Sequence, residues 1–150
     1  MGELVSIVSK PKDAPLSETG YTRVPQQQAL LVVDRGIAGD AKGSRNRQLN
    51  VMSAQTLHTL AGEGYRTAPG EMGEQLILAG VEVDSLEVGT RLQIGAEAHI
   101  EITEPRTGCG KFERHQGRPR QETAGRLGMM AKVVAGGSIS VGDSVTVIPE

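Results

Sequence analysis

The stretch AEAHIEIT, residues 96–103, alternates strictly between apolar and polar side chains. Successive side chains of a β-strand point to opposite faces of its sheet, so this pattern predicts a half-buried strand. The buried face would hold Ala96, Ala98, Ile100 and Ile102, and the polar face Glu97, His99, Glu101 and Thr103.

Seven other apolar runs have the length and the β-branched composition of strands. Many short strands with few helices indicate a sandwich or a barrel, and Gly-rich turns separate the runs. We expect a mainly β fold, a closed or partly open β-barrel with a few short helices, formed by a single domain over residues 1–150. The seven runs are LVSIVS (4–9), ALLVV (29–33), QLNVM (48–52), QLILA (75–79), RLQI (91–94), MMAKVVA (129–135) and SVTVI (144–148).

Two helices are predicted. Ser53 is a suitable N-cap for the segment AQTLHTLAGEG, and Gly62 would end that helix. A second, shorter helix is predicted within residues 118–126, because Pro119 suits a first turn. The shared face of the first helix would hold Ala54, Leu57 and Ala61.

Composition excludes several classes of protein. No apolar run approaches the roughly 20 residues needed to span a bilayer, and Lys10 and Pro11 interrupt the start of the chain before a signal-peptide core could form. One cysteine cannot form an internal disulfide, which fits a reducing compartment. We therefore expect a cytoplasmic protein without a membrane partner.

Nucleic acid is also an unexpected partner. Proteins that bind single strands stack the bases on aromatic side chains, and a net charge of −2 does not favour general binding of polyanions. The chain has three aromatic residues in all, Tyr21, Tyr65 and Phe112.

Positive charge is concentrated in two glycine-containing segments. Residues 40–47 hold three cations against one carboxylate, and residues 106–126 hold six cations against two. The rest of the chain therefore carries −8 within a total of −2. An acidic body with two basic loops favours a local anion site.

The single cysteine, Cys109, lies in the second basic segment, between Gly108 and Gly110. Nearby cations stabilise a thiolate, which is the reactive and metal-binding form. The residues around Cys109 also fit two other interpretations. It could be an incidental loop cysteine, or a cysteine nucleophile for which His115 is the base. A structural zinc site is not expected, because it takes four ligands and there is no second cysteine.

The other candidate segments are weaker when taken alone. The stretch at 34–47 offers backbone N–H groups and arginines to an anion, but it lacks the ending of a P-loop. Glu71 and Glu74, in PGEMGEQL, could bind polar groups of a ligand or hold the arginines in place. His58 and His99 are read as surface or partly buried residues.

Five stretches in order resemble the MOSC domain, named for the C-terminal domain of molybdenum-cofactor sulfurases. The resemblance covers residues 36–148. The sequence departs from the family's usual motifs at Lys42, Gln75, Thr90 and Gly108. The five stretches are GIAGDAKG, RQLNVMSAQTL, PGEMGEQLILAGVEVDSLEVGTRLQIG, IEITEPRTGCGKF and RLGMMAKVVAGGSISVGDSVTV.

The resemblance implies a β-barrel in which Cys109 handles sulfur or molybdenum. In relatives such as the mitochondrial amidoxime reducing component, the matching cysteine ligates the molybdenum of a pyranopterin cofactor. Asp40 and Glu74 would orient arginines or contact pterin nitrogens. The candidates for binding the pterin phosphate or a substrate anion are Arg45, Arg47, Arg106 and Arg126.

Three functions follow as hypotheses. The first is a protein that binds the molybdenum cofactor, such as a reductase of N-hydroxylated compounds, with Cys109 on the metal and a separate electron-donating reductase as partner. The second is a carrier that takes a persulfide sulfur on Cys109 from a cysteine desulfurase. The third is a non-catalytic module that binds an anion or a protein partner.

Overall fold

The computed structural model describes residues 2–11, 23–41 and 48–149. Short strands dominate these residues, joined by two α-helices and two 3₁₀ helices. The strands are β1 (Gly2–Ser9), β2 (Val24–Gln26), β3 (Gln28–Val32), β4 (Gly36–Ile37), β5 (Leu49–Ser53), β6 (Leu76–Ala79), β7 (Arg91–Ile94), β8 (Ala98–Pro105), β9 (Met129–Ala135), β10 (Gly137–Ser140) and β11 (Ser144–Ile148). The helices are α1 (Ala54–Gly62) and α2 (Gly110–Gln116), with 3₁₀ turns at Val83–Ser85 and Arg120–Thr123.

Seven strands close into a barrel in the order β11-β7-β8-β9-β5-β6-β1. Closure comes from β1, whose first two residues pair with β11 while the rest of the strand pairs with β6. Among the described strands, β5 and β6 pair in parallel and the other barrel neighbours are antiparallel. Parallel neighbours need a crossover connection, and α1 lies in that connection.

Two smaller features lie outside the barrel wall. Strand β2 extends the sheet beyond β1, and β10, β3 and β4 form a separate three-stranded sheet. No helix of the described residues is both long and apolar enough to cross a membrane.

Buried apolar side chains form two clusters. The larger cluster contains the inward-facing residues of the barrel strands. The smaller one contains residues of α1, α2 and the 65–77 region with Leu127, and it includes Met52 of β5 and Ile77 of β6. The smaller cluster matters for function, because it attaches α2 to the barrel through Phe112, which is fully buried.

The sequence predicted the barrel strands correctly. All eight predicted runs contain a strand, and Ala98, Ile100 and Ile102 are buried as the alternation requires. That strand begins two residues later than predicted, because residues 95–97 form a turn, and Ala96, which was predicted to be buried, is exposed there. The short strands β2, β4 and β10 were not predicted.

The helix predictions need three corrections. Helix α1 follows Ser53 as expected, but the Ser53 hydroxyl makes no capping bond; it donates to the Val81 carbonyl at 2.6 Å and accepts from the Val83 N–H at 2.8 Å. The buried residue of α1 is Leu60, whereas Ala61 is exposed. Within 118–126 there is one short 3₁₀ turn, and the true second helix, α2, begins directly after Cys109.

Candidate functional site

Cys109 lies at the N-cap of α2, four residues after the end of β8. Its side chain is exposed, and its carbonyl accepts the N–H of Glu113 at 3.0 Å in the first turn of the helix. Three residues further on, Phe112 is completely buried in the smaller cluster. An accessible thiol is therefore held by a helix with a buried anchor.

The guanidinium of Arg120 lies near Cys109, at the carbonyl of the preceding residue. Its Nη1 is 3.5 Å from the carbonyl oxygen of Gly108, and its Nη2 is 3.1 Å from a Glu113 carboxylate oxygen. The hydrogen bond and the charge of Glu113 raise the pKa of Arg120, and the charge of Cys109 adds to the rise. A Cβ on Gly108 would lie 3.0 Å from both the Arg120 Cβ and Phe112, so the glycine permits this close approach.

The turn before β6 holds Glu74 in a buried position. Its two carboxylate oxygens accept the N–H groups of Gly70, at 2.7 Å, and Met72, at 3.1 Å. Burial raises the pKa of Glu74, while these amides and the charge of Arg106 oppose the rise. Arg106 itself donates to the Met72 carbonyl at 2.6 Å. Two predicted site residues, Glu74 and Arg106, therefore meet at one turn.

His115 lies at the other end of α2 from Cys109. Its Nε2 is 3.1 Å from a carboxylate oxygen of Glu71. This contact places the imidazole against the 66–74 turn. The described contact of His115 is therefore with Glu71, and it is not the contact with Cys109 that a catalytic base would make. His58 is exposed on α1, and His99 is half-buried on β8.

Asp40 is buried and connects two segments of the barrel rim. One carboxylate oxygen accepts the backbone N–H of Lys10 at 3.0 Å, and the other accepts the Gln75 side-chain amide at 3.2 Å. The Gln75 carbonyl oxygen in turn accepts the N–H of Asn50 at 2.7 Å. Asp40 thereby fixes the end of β1 next to the Glu74 turn.

Three cations that the sequence did not bring together lie near this rim, where the charges of Lys111 and Arg23 act on Lys10; we call these three residues the cation cluster. Burial lowers the pKa of Lys10, and the charges of Lys111 and Arg23 lower it further against the opposing charge of Asp40. The aliphatic part of Arg23 packs against Gly70, in the Glu74 turn. The cluster thus lies between the turn and the first residues of α2. Lys10 and Arg23 fall outside both basic segments of the sequence, so no sequence signal indicated them.

Arg126 is placed in another network. Its Nη1 is 2.7 Å from a Glu63 carboxylate oxygen and its Nη2 is 2.6 Å from the Glu122 carbonyl. It also lines a polar cleft of about 360 Å³ between α1 and the 83–85 turn, together with Thr56 and Asp84. These contacts attach the end of α1 and do not bring Arg126 to Cys109. Arg45 and Arg47 lie outside the described residues.

The residues that match a known family span most of the site. The MOSC domain model matches residues 38–146, which include Asp40, Glu74, Arg106 and Cys109. The chain belongs to the MOSC domain family. No functionally curated protein matches the sequence.

Solved MOSC-like structures share the fold. YiiM from Geobacillus stearothermophilus is 18% identical, with a TM-score of 0.78, over 99% of this chain and 76% of that one. YiiM from Escherichia coli is 21% identical, with a TM-score of 0.71, over 99% and 70%. The YuaD protein of Bacillus subtilis is 17% identical, with a TM-score of 0.75, over 97% and 94%. The expected β-barrel is confirmed.

Two departures from the usual MOSC motifs have a visible structural consequence. Gln75 bridges Asp40 and the backbone of Asn50, so its amide is built into the rim. Gly108 admits the Arg120 side chain next to the thiol. Lys42 lies outside the described residues. Thr90, whose backbone N–H bonds to Glu87, ends a turn before β7, and nothing in its contacts connects it to Cys109.

Among the described residues, no group of three or more His, Cys, Asp and Glu side chains is arranged to hold a metal ion. A metal at this site would therefore take Cys109 as its protein ligand and bring its other donors with it. A cofactor that carries its own metal ligands fits this donor set better than a bare ion does.

Proposed function

We propose that this MOSC protein binds a molybdenum cofactor of the pyranopterin type, with the Cys109 thiolate as the protein ligand of the metal. The observation that carries the proposal is the exposed thiol at the N-cap of α2, with the Arg120 guanidinium at the carbonyl of the preceding residue, Gly108. A cation stabilises the ionised sulfur that a metal requires. A thiolate is also a soft ligand, as suits a sulfur-rich metal centre.

The cluster of Lys10, Arg23 and Lys111 supplies charge for the pterin phosphate. Cations held together in a folded protein repel one another, and an anion between them relieves that repulsion. Burial is the largest cause of the lowered pKa of Lys10, and the charges of Lys111 and Arg23 add to it. Of the four arginines expected to bind the phosphate, Arg106 remains close to this rim through the Met72 carbonyl.

The two buried carboxylates would act on the protein's own groups. Asp40 fixes the backbone of Lys10, and so holds a cation of the cluster in place. Glu74 orders the turn on which Arg23 and Arg106 pack. The expected role of orienting arginines would then fall to Glu74, whereas Asp40 would act on Lys10.

When bound, the cofactor would supply two-electron redox chemistry at molybdenum. The reduction of N-hydroxylated compounds is the activity that the family resemblance suggests. That activity needs an electron donor, and these residues, with one cysteine, cannot hold an iron–sulfur cluster; we propose that a reductase partner supplies the electrons. Substrate would reach Cys109 from the exposed side of α2.

A persulfide carrier is the second candidate, and the exposure of Cys109 favours it. The thiolate would attack the outer sulfur of a cysteine desulfurase persulfide. A new sulfur–sulfur bond forms on Cys109, the bond in the donor breaks, and the desulfurase leaves as its thiolate. This reaction needs an accessible sulfur and no metal.

The test is elemental analysis of the protein purified from a host that makes the cofactor. We expect wild type to carry molybdenum near one atom per chain, Cys109→Ser to lose it, and Lys132→Gln to keep it. Lys132 is a matched control, because its ammonium pairs with Glu101 at 3.5 Å on the barrel wall.

Mass spectrometry of the same samples separates the alternatives. A metal-free wild type with an adduct of about 32 Da on Cys109, one sulfur atom, would replace the cofactor proposal with the carrier. A protein with neither molybdenum nor the adduct would favour a non-catalytic module that binds an anion or a partner.

A further inference from the structure

Two consecutive carbonyl groups are held by residues on either side of Cys109. Arg106 Nη1 donates to the carbonyl of Met72 at 2.6 Å, and Gln116 Nε2 donates to the carbonyl of Glu71 at 2.9 Å. Arg106 precedes the cysteine by three residues, and Gln116 follows it by seven. The segment that carries the thiol is therefore attached to residues 66–74 at both of its ends.

The Gln116 amide is buried and fully used. Its Oε1 accepts the N–H of Arg66 at 2.8 Å, and its Nε2 donates to the Arg66 carbonyl at 2.9 Å as well as to Glu71. The Nε2 also lies 3.1 Å from the sulfur of Met72. Paired bonds to the N–H and the C=O of one residue resemble a hydrogen-bonded pair of antiparallel strands, and they fix both position and orientation.

The residues held by Gln116 lie in the same turn as those that order Glu74, and Glu71 is the neighbour of both Gly70 and Met72. The Glu74 carboxylate accepts the N–H groups of Gly70 and Met72, and the carbonyl of the same Met72 binds Arg106. A displacement of the 66–74 turn would therefore move Glu74 and Arg106 together. The described contacts of Gln116 are with this turn and not with the thiol.

We infer that Gln116 is a positioning residue, which fixes Cys109 relative to Glu74 by attaching the end of α2 to the 66–74 turn. The inference rests on the proposed function only in treating Cys109 and Glu74 as parts of one site. The attachment itself requires no bound group, so metal-free protein tests it, and a failure to find molybdenum would leave the test intact.

The experiment combines amide hydrogen exchange with a fluorine label on Cys109. The single cysteine allows a trifluoromethyl reagent to report on that position alone. In Gln116→Met we expect exchange at the Arg66 amide to rise about tenfold, because its partner is lost. We also expect exchange at Gly70 and Met72 to rise by about threefold or more, and the Cys109 fluorine resonance to sharpen as α2 gains freedom.

Gln116→Glu is the second variant, in case the apolar replacement prevents folding. It keeps the acceptor for the Arg66 N–H and removes the two donated bonds, so it should give the changes at Gly70, Met72 and Cys109 with a smaller change at Arg66.

Gln93→Met is the matched control. The Gln93 amide donates to the carbonyls of Gly95 and Ala96 at the end of β7, remote from α2 in the contact network. The fluorine resonance of the label on Cys109 should therefore be unchanged in Gln93→Met. A rise confined to Arg66 in the Gln116 variants, or equal sharpening of the label in Gln93→Met, would overturn the positioning role.

Discussion

Removing the positive charge of Lys111 should stabilise the unliganded protein and lower its affinity for phosphate. Lys111 is exposed on α2, and its charge is one of those that lower the pKa of Lys10. Lysine and glutamine have similar helix propensities, so Lys111→Gln changes the charge with little effect on the helix. Relief of the repulsion should raise the free energy of unfolding by about 0.2–1 kcal/mol, the range measured for exposed charge pairs.

Phosphate should reverse the order of stability, so that wild type becomes more stable than Lys111→Gln. At a hundred times its dissociation constant, a ligand stabilises the folded state by about 2.7 kcal/mol. Loss of one of three cations costs about 1.4 kcal/mol, or tenfold in affinity. The same phosphate concentration would then stabilise Lys111→Gln by about 1.4 kcal/mol.

The assay is equilibrium unfolding in urea at low ionic strength, with phosphate compared against chloride of equal ionic strength. The control is again Lys132→Gln, which should lose a little stability without phosphate and keep the full gain with it. The reasoning would be refuted if Lys111→Gln were less stable than wild type without phosphate, or if it kept the whole phosphate gain.

The pH dependence has a definite sign. The pKa of Lys10 is lower in the folded protein than its ordinary value of 10.5, so the folded state releases this proton first. Stability therefore rises as pH increases through the range just below 10.5, where the unfolded chain still binds the proton. That rise should be smaller in Lys111→Gln.

Three further changes test the structure around the site. Phe112→Ala should lower the free energy of unfolding by about 3–5 kcal/mol, since the ring is fully buried; a loss under about 1 kcal/mol in urea would contradict the anchoring of α2. Gly128→Ala should cost at least about 2 kcal/mol because its Cβ would overlap the Val51 carbonyl, whereas Gly125→Ala, at a similar positive φ with open space around it, should cost less; equal losses would remove the overlap as the cause. Burial raises the pKa of Glu74, so its contribution to stability is present below 4.5 and is lost as pH rises through the raised pKa. Glu74→Gln should therefore lose less stability than wild type as pH rises above 4.5, and parallel curves of unfolding free energy against pH would contradict this.

The sequence predicted the barrel because each strand carries its own signal. The alternation at 96–103 and the apolar runs at 75–79 and 129–135 do not depend on distant residues. Helix α1 was found for the same reason. Helix α2 was missed because GKFERHQ is short, mostly polar and bounded by glycines, which read as a loop. One signal was available: Gly117, in the left-handed conformation at φ 71°, is the usual residue at a helix end.

The site itself was only partly predictable, since it depends on distant parts of the chain. The sequence suggested Arg126 as a phosphate ligand, but in the structure its guanidinium pairs with the carboxylate of Glu63. The count of charges along the sequence did not indicate Lys10 or Arg23. Their charges act together with that of Lys111 only because folding brings β1 and the Gly70 turn close to α2. The family resemblance named Glu74 and Arg106 as site residues, and the structure places both at one turn; their roles stay predictions.

The two hydrophobic clusters separate the fold from the site. The barrel strands bury their own cluster and close without help from α2, whereas the helix that presents Cys109 relies on the smaller cluster and on the polar contacts of Gln116. We expect the smaller cluster and the polar contacts of Gln116 to open at a lower free energy than the barrel core. Damage to the smaller cluster should therefore disorder the thiol before the barrel unfolds, so that cofactor or sulfur binding is lost in a protein that still has its strands. Substitutions inside the barrel should instead remove both together.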